Sequence, residues 1–366
     1  MKLMLVVGAR PQIIKSAPLI HEVGKHSEID LQLIHTGQHY DFEMSRIFFN
    51  EMDLPDPLIN LGVGSGTQAW QTGNIMIKLE KVMMEQKPDC VMVPGDTNST
   101  LAGALVAVKL HVPMAHVEAG ARSYNMRMPE EINRRLTDHC SSLLFAPTKN
   151  CAANLEKEGI PRKYVKLSGD TMYDALIEHR PIVAQSTILK KLGLKREEYS
   201  VLTIHRPENV DDPEKLDSII RGILALKELT VVFPIHPRTK QRLVKSRLKK
   251  QIQNSDNVKL VDPVGYHDML KLTENAKLVF TDSGGLQKEA FWLHTPCVTL
   301  RDETEWVETV RLGANTLVGN DTKKLIKTAK EIAEVENIKS RLGKLKNPFG
   351  DGHAAQRIVS ETLKMP

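Results

Sequence analysis

Short apolar runs recur along the whole chain. In the first half they are Leu3–Val7, Leu31–Ile34, Cys90–Val93, Met114–Val117 and Leu143–Ala146, and in the second Val201–Ile204, Leu229–Phe233, Val258–Val261, Leu278–Phe280 and Val298–Leu300. None alternates strictly with polar residues, so they predict strands buried on both faces of a sheet. Segments with helical spacing lie between them, such as Leu105, Val106 and Leu110, or Leu216, Ile219, Ile220 and Ile223. Strand–helix alternation of this kind predicts parallel sheets built from βαβ units. The pattern lapses between about Tyr173 and Ser200, where a helical stretch, Pro181 and the charged run Lys190 to Glu198 intervene. Two doubly wound α/β domains in series are therefore expected, parting within this lapse, with a cleft between them.

Composition narrows the class without identifying it. At roughly 150 residues per domain, 366 residues fit two domains, each able to bury its own core. Ordinary numbers of Gly (22) and Pro (19) exclude collagen-like or disordered chains. With 50 Lys+Arg against 45 Asp+Glu the net charge is +5, and much of the excess sits in runs such as Lys245-Ser246-Arg247-Leu248-Lys249-Lys250, so a nucleic-acid partner is not expected. Cys90, Cys140, Cys151 and Cys297 lack zinc-site spacing and are expected as reduced thiols. The run Leu3–Val7 breaks at Gly8-Ala9-Arg10 before it could serve as a signal peptide, and no apolar stretch approaches the roughly 18 residues of a membrane helix. A soluble, cytoplasmic protein is the expectation.

In doubly wound sheets ligands bind beyond the carboxyl ends of the strands, so the residues after each apolar run carry the chemistry. Gly62-Val63-Gly64-Ser65-Gly66-Thr67 has its third glycine one place early for a dinucleotide fingerprint and reads as a turn before a helix. Thr281-Asp282-Ser283-Gly284-Gly285 opens a helix, either as a phosphate cradle or as an ordinary Ser283 cap. Arg10 and Lys15 begin the first helix, where they are solvated cations or partners of a diphosphate. Asp96, Glu118, Glu130 and Glu131 form a set of carboxylates in the first half; Asp96 alone would serve equally as a helix cap. Close carboxylates raise one another's pKa, which suits acid–base work. Gly95-Asp96 also opens a metallophosphoesterase-like pattern, but Ser99 stands where the second Asp should be. His205 and His236 each end a strand of the second half.

Taken in order, these segments resemble the non-hydrolysing UDP-N-acetylglucosamine 2-epimerases over essentially the whole chain. The matching stretches are Gly8-Ala9-Arg10-Pro11-Gln12, Thr36-Gly37-Gln38-His39, Gly95-Asp96-Thr97, His116-Val117-Glu118-Ala119-Gly120, Pro129 to Arg134, His205-Arg206-Pro207-Glu208-Asn209, Thr281 to Glu289 and Asn347 to Gly352. The resemblance implies a GT-B-like pair of Rossmann-like domains with the active site in the interdomain cleft: residues 1–170, completed by a C-terminal helix over 351–366, and a UDP-binding domain over 171–350. It implies a homodimer that interconverts UDP-GlcNAc and UDP-ManNAc without added NAD or metal, by eliminating UDP to 2-acetamidoglucal and re-adding it. The two faces of the sugar need separate bases, which accounts for several carboxylates. By resemblance Asp96, Glu118, Glu130 and His205 are catalytic. Arg10, Lys15, Arg134, His236, Ser283, Gly284, Gly285 and Glu289 bind substrate, Glu289 suiting ribose hydroxyls. Gln38, His39, Gln68 and Arg206 match positions that hold a second, activating UDP-GlcNAc in several relatives, although Tyr40 and Pro207 depart from common bacterial forms. A further departure is Trp306-Val307-Glu308, where many relatives carry Arg-Pro-Glu.

Overall fold

The computed structural model describes residues 1–38, 42–244 and 248–365; His39, Tyr40 and Lys245, Ser246 and Arg247 of the charged run lie outside them. The chain divides into two compact units, Met1–Glu178 with Asn347–Pro366, and His179–Lys346.

In the first unit the strands are β1 (Lys2–Val7), β2 (Asp30–His35), β3 (Ile59–Asn60), β4 (Cys90–Pro94), β5 (Met114–Val117), β6 (Leu143–Ala146) and β7 (Val165–Leu167), in the spatial order β3-β2-β1-β4-β5-β6-β7. All pairings are parallel; Leu3 is in register with Leu31 on one side and Cys90 on the other. Apart from Lys2, β1 is buried throughout, as a central strand covered on both faces must be. Met4, Val6, Val91 and Val93 pack on Ile75 and Leu79 of helix Gln68–Gln86 and Ala102 and Val106 of helix Asn98–Lys109.

The second unit repeats the plan with β8 (Tyr199–Thr203), β9 (Thr230–Pro234), β10 (Val258–Val261), β11 (Val279–Thr281), β12 (Cys297–Thr299) and β13 (Asn315–Leu317), ordered β10-β9-β8-β11-β12-β13. Its pairings are likewise parallel. Ile219, Ile220 and Ile223, spaced to one face of helix Pro213–Leu224, bury against Phe233, Val298 and Leu325.

In each sheet the winding reverses once, between β1 and β4 and between β8 and β11. At such a point neighbouring connections leave to opposite sides and open a crevice at the strands' carboxyl ends. The loops there are those of Arg10 and Asp96 in one unit, and of His205 and Asp282 in the other.

The units divide at 178/179 and 346/347, rather than at 170/171 and 350/351, because the start of helix Thr171–Gln185 is tied to the C-terminal segment. Asp170 donates its amide to Phe349 O (2.9 Å), and Asp174 Oδ2 accepts the amide of Ala355 at 2.7 Å. Asp174 thereby caps helix Ala354–Thr362, for which the adjoining His353 supplies no side-chain bond. Its Oδ1 is buried without a hydrogen-bond partner among the described residues. Burial pushes the Asp174 carboxyl up to about 6, against the amides of Ala355 and Ala354 that favour its charge. A raised folded pKa means that the folded chain holds this proton more tightly than the unfolded one, so stability from this group is present at low pH and lost as pH rises through about 6. Asp174→Asn, neutral throughout, should gain in urea midpoint relative to the parent between pH 4 and 7. Parallel pH profiles for the two proteins would contradict this.

Candidate active site

In the first unit the connection after β5 forces Glu118 into the left-handed region, φ +73°, a conformation unfavourable for a side chain of this size. The side chain is buried, and Lys15 Nζ, itself nearly buried on helix Arg10–Val23, donates to Glu118 Oε1 at 2.7 Å. The strained backbone and the buried ion pair together fix one carboxylate at the end of β5. Next to it in the sheet, β4 runs into Gly95 and Asp96. Thr97, not Asp96, caps helix Asn98–Lys109 through a reciprocal bond pair with Thr100, so the capping role does not account for Asp96. Its carboxylate lies 3.8 Å from Arg134 Nε, and its backbone carbonyl accepts from Asn133 Nδ2 at 3.0 Å. Arg134 is buried on helix Pro129–Cys140 and also donates to Glu130 O at 3.2 Å, which places Asp96 beside the helix start that carries Glu130. Glu131 differs: it is fully buried, accepting from the Ser123 amide (2.9 Å) and Arg135 (3.2 Å), and so holds the loop. Arg10 rests its guanidinium 4.7 Å above the Phe48 ring.

Beneath Glu118 lies a charged cluster. His116, on β5, reaches Asp138 Oδ1 through Nδ1 and Gly95 O through Nε2, both at 2.7 Å. Asp138 also accepts from Arg122 Nη2 (2.6 Å) and the Gly120 amide (3.1 Å), and Arg122 continues to Glu158 at 2.7 Å. Burial opposes charge on Asp138, but His116 and Arg122 outweigh it and hold the carboxyl below its ordinary range. Gly120 is required here: a Cβ would stand 2.2 Å from Cys151 O, and φ is +78°. The cluster ties both neighbouring loops, 95–97 and 118–123, to one buried anchor.

The second unit gathers its groups around Asp282, which follows β11 and is fully buried. It accepts the amides of His205 (3.0 Å) and Arg206 (2.9 Å) and Asn209 Nδ2 (3.2 Å), and lies 3.2 Å from His205 Nδ1. His236, after β9, lies with its ring centroid 5.5 Å from that of His205. Ser283 caps helix Gly284–Trp292 by accepting from the Leu286 amide at 3.4 Å, which leaves the first amides of the helix without intrahelical acceptors. Glu289 is buried on the same helix. Trp306 lies against the helix start: a Cβ on Gly284 would stand 3.3 Å from its Nε1, and Lys288, fully buried, holds its ammonium 4.0 Å from the indole centroid. The departure at Trp306 thus coincides with a buried cation beneath it. Arg301, close by, pairs with Glu305 at 3.0 and 3.1 Å.

The residues matched to an activating site are placed as follows. Gln38 is buried with its side-chain oxygen accepting from the Ser99 amide (3.0 Å) and hydroxyl (2.6 Å); Gln68 is exposed and accepts from Asn98 Nδ2 at 2.7 Å. Arg206 begins helix Pro207–Val210. Among the described residues no group of His, Cys, Asp and Glu is placed to hold a metal ion, and no helix is long and apolar enough to cross a membrane.

A family model described as UDP-N-acetylglucosamine 2-epimerase matches residues 21–363. The chain belongs to this family. The structure of the Methanocaldococcus jannaschii UDP-GlcNAc 2-epimerase in complex with UDP-GlcNAc and UDP is 46% identical, superposes with a TM-score of 0.93 and matches over 99% of both chains. The Neisseria meningitidis epimerase bound to UDP-GlcNAc is 32% identical, with a TM-score of 0.92 over 100% of each chain. A Pseudomonas aeruginosa relative, 43% identical over 100% of both chains, is a UDP-2,3-diacetamido-2,3-dideoxy-D-glucuronate 2-epimerase. The two parallel-sheet α/β units are of the GT-B-like class of these epimerases.

Proposed function

We propose that this chain interconverts UDP-GlcNAc and UDP-ManNAc by eliminating UDP to 2-acetamidoglucal and adding it back, with the proton returned to the opposite face of C2. The observation that carries this reading is Glu118, held in a left-handed backbone and paired with Lys15 at the end of β5. In the proposed site Glu118, Asp96 and Glu130 serve as acid–base groups. Arg10, Lys15, Arg134 and His236 hold the charged and sugar parts, the first amides after Ser283 at Gly284 and Gly285 receive phosphate, and Glu289 takes the ribose hydroxyls. The C2 hydrogen is not adjacent to a carbonyl carbon, so departure of the diphosphate must share the work of its removal, and a donor-rich helix start favours that departure.

The sugar is the point on which relatives differ, since the Pseudomonas enzyme acts on a diacetamido uronate. Incubation with each nucleotide sugar separately, followed by anion-exchange chromatography, decides it. UDP-ManNAc is expected from UDP-GlcNAc, with no free ManNAc. Free ManNAc accumulating with UDP would replace this reading with a hydrolysing epimerase, and turnover of the uronate alone would reassign the substrate.

The enzyme is proposed to act as a homodimer. Trp70, Ile77 and Met84 stand seven residues apart on helix Gln68–Gln86 and are 50%, 60% and 61% exposed, an apolar seam of the spacing by which two helices pack. Ile77→Glu should convert dimer to monomer in light scattering; an unchanged mass would place the interface elsewhere.

A further inference from the structure

The two imidazoles of the second unit are close, yet their surroundings fix them differently. His205 Nδ1 faces Asp282 Oδ1, an acceptor, so this nitrogen carries a hydrogen and donates. His236 Nδ1 receives the amide of Arg238 at 3.2 Å, so it accepts, and in the neutral ring the hydrogen sits on Nε2. Asp211 is engaged by two guanidinium groups, pairing with Arg238 and with Arg242, the latter at 2.9 Å. Asp282 is thus the buried carboxylate in contact with His205, and burial of its charge is outweighed by His205 and the amides it accepts, which hold the carboxyl below its ordinary range.

We infer that Asp282 is a positioning residue that gives the two rings separate tasks, holding His205 with Nδ1–H so that its Nε2 takes the additional proton, beside His236 as a neutral Nε2–H donor. This rests on the proposed UDP site. There the charged ring pairs with negative charge developing on the departing diphosphate, while the neutral ring supplies a hydrogen bond without adding a second cation 5.5 Å away.

The substitution Asp282→Asn tests it because the geometry dictates how the amide must turn. Oδ2 receives the amides of His205 (3.0 Å) and Arg206 and the side chain of Asn209, whereas Oδ1 shares the His205 amide (3.1 Å) and faces Nδ1, so more donors stay satisfied with the asparagine oxygen on the Oδ2 side. Its NH₂ then faces His205 Nδ1, which becomes an acceptor, and the hydrogen moves to Nε2. The measurement is ¹⁵N NMR of the full chain labelled at histidine, with His205→Gln and His236→Gln to assign signals, alongside calorimetric titration with UDP and with uridine, which lacks phosphate. The expected result is Nδ1–H at His205 and Nε2–H at His236 in the parent, a switch to Nε2–H at His205 in Asp282→Asn, and UDP binding weakened about 10-fold with uridine binding unchanged. A parent His205 with its hydrogen on Nε2, or an Asp282→Asn protein that loses no UDP affinity relative to uridine, would overturn the inference. If the parent bound UDP no better than uridine, the diphosphate assignment and the proposed substrate would both fall, while the ring states, read without nucleotide, would still be decided.

Discussion

Glu118→Gln should lower turnover of UDP-GlcNAc by at least about 10²-fold, the low end for loss of an acid–base group. The carboxamide keeps size and shape but removes the charge that Lys15 faces at 2.7 Å, so the buried ammonium loses its partner as well. Two effects therefore coincide, and both persist in a second substitution that changes the backbone as well. Glu118→Gly removes the side chain from a backbone at φ +73°, where glycine is at ease and glutamate is not, and so relieves local strain of about 1–3 kcal/mol. Activity should be lost in Glu118→Gly although the backbone is better suited, because the strain is tolerated for the carboxylate's sake. Initial rates for both variants, with urea midpoints measured in parallel, check this. Near-parental turnover in Glu118→Gln would remove the residue from the chemistry.

Asp138→Ala should be the most damaging change to the fold of the first unit, costing about 3–5 kcal/mol in urea denaturation, the range for breaking one side of a buried ion pair. Arg122 and His116 would both lose their shared acceptor in a fully buried setting, and the Gly120 amide would lose its own. The pH dependence runs opposite to that of Asp174. Because the folded carboxyl is held below its ordinary value, the stability it contributes is present above the unfolded pKa and is lost as pH falls through the folded one. The parent should therefore lose its advantage over Asp138→Ala only in acid. A loss below about 1 kcal/mol at neutral pH, the scale of an exposed pair, would show that the cluster does not anchor the loops.

How far the chain was legible depended on whether a feature was local. Strands such as β1, β4 and β8 are runs of apolar residues buried on both faces, and periodicity finds them. β3, β7 and β13 were missed because they are two or three residues long, part-buried and interrupted by Asn60, Lys166 and Thr316. The polar strand ends at Asp96, Glu118 and His205 were conspicuous because they directly follow apolar runs. Arg122, Asp138 and Glu158 were not, since they read as ordinary surface charges until the fold brings positions 16 and 36 apart in sequence to one buried point. Likewise Asp282 was visible as part of a glycine-rich turn, but its grip on His205, 77 residues earlier, belongs to the pairing of β8 with β11. Lys288 beneath Trp306 has no sequence signal, since a lysine on a helix is usually solvated.

Elimination of UDP at a carboxylate-lined site would exchange the C2 proton with solvent. Incubating the full chain with UDP-GlcNAc in D₂O and following the proton NMR spectrum tests it directly. UDP-ManNAc bearing deuterium at C2 is expected, with deuterium also entering the UDP-GlcNAc pool as the reaction reverses, and loss of both in Glu118→Gln. UDP-ManNAc formed with its C2 hydrogen retained, or substrate left unlabelled and unconverted after long incubation, would contradict it.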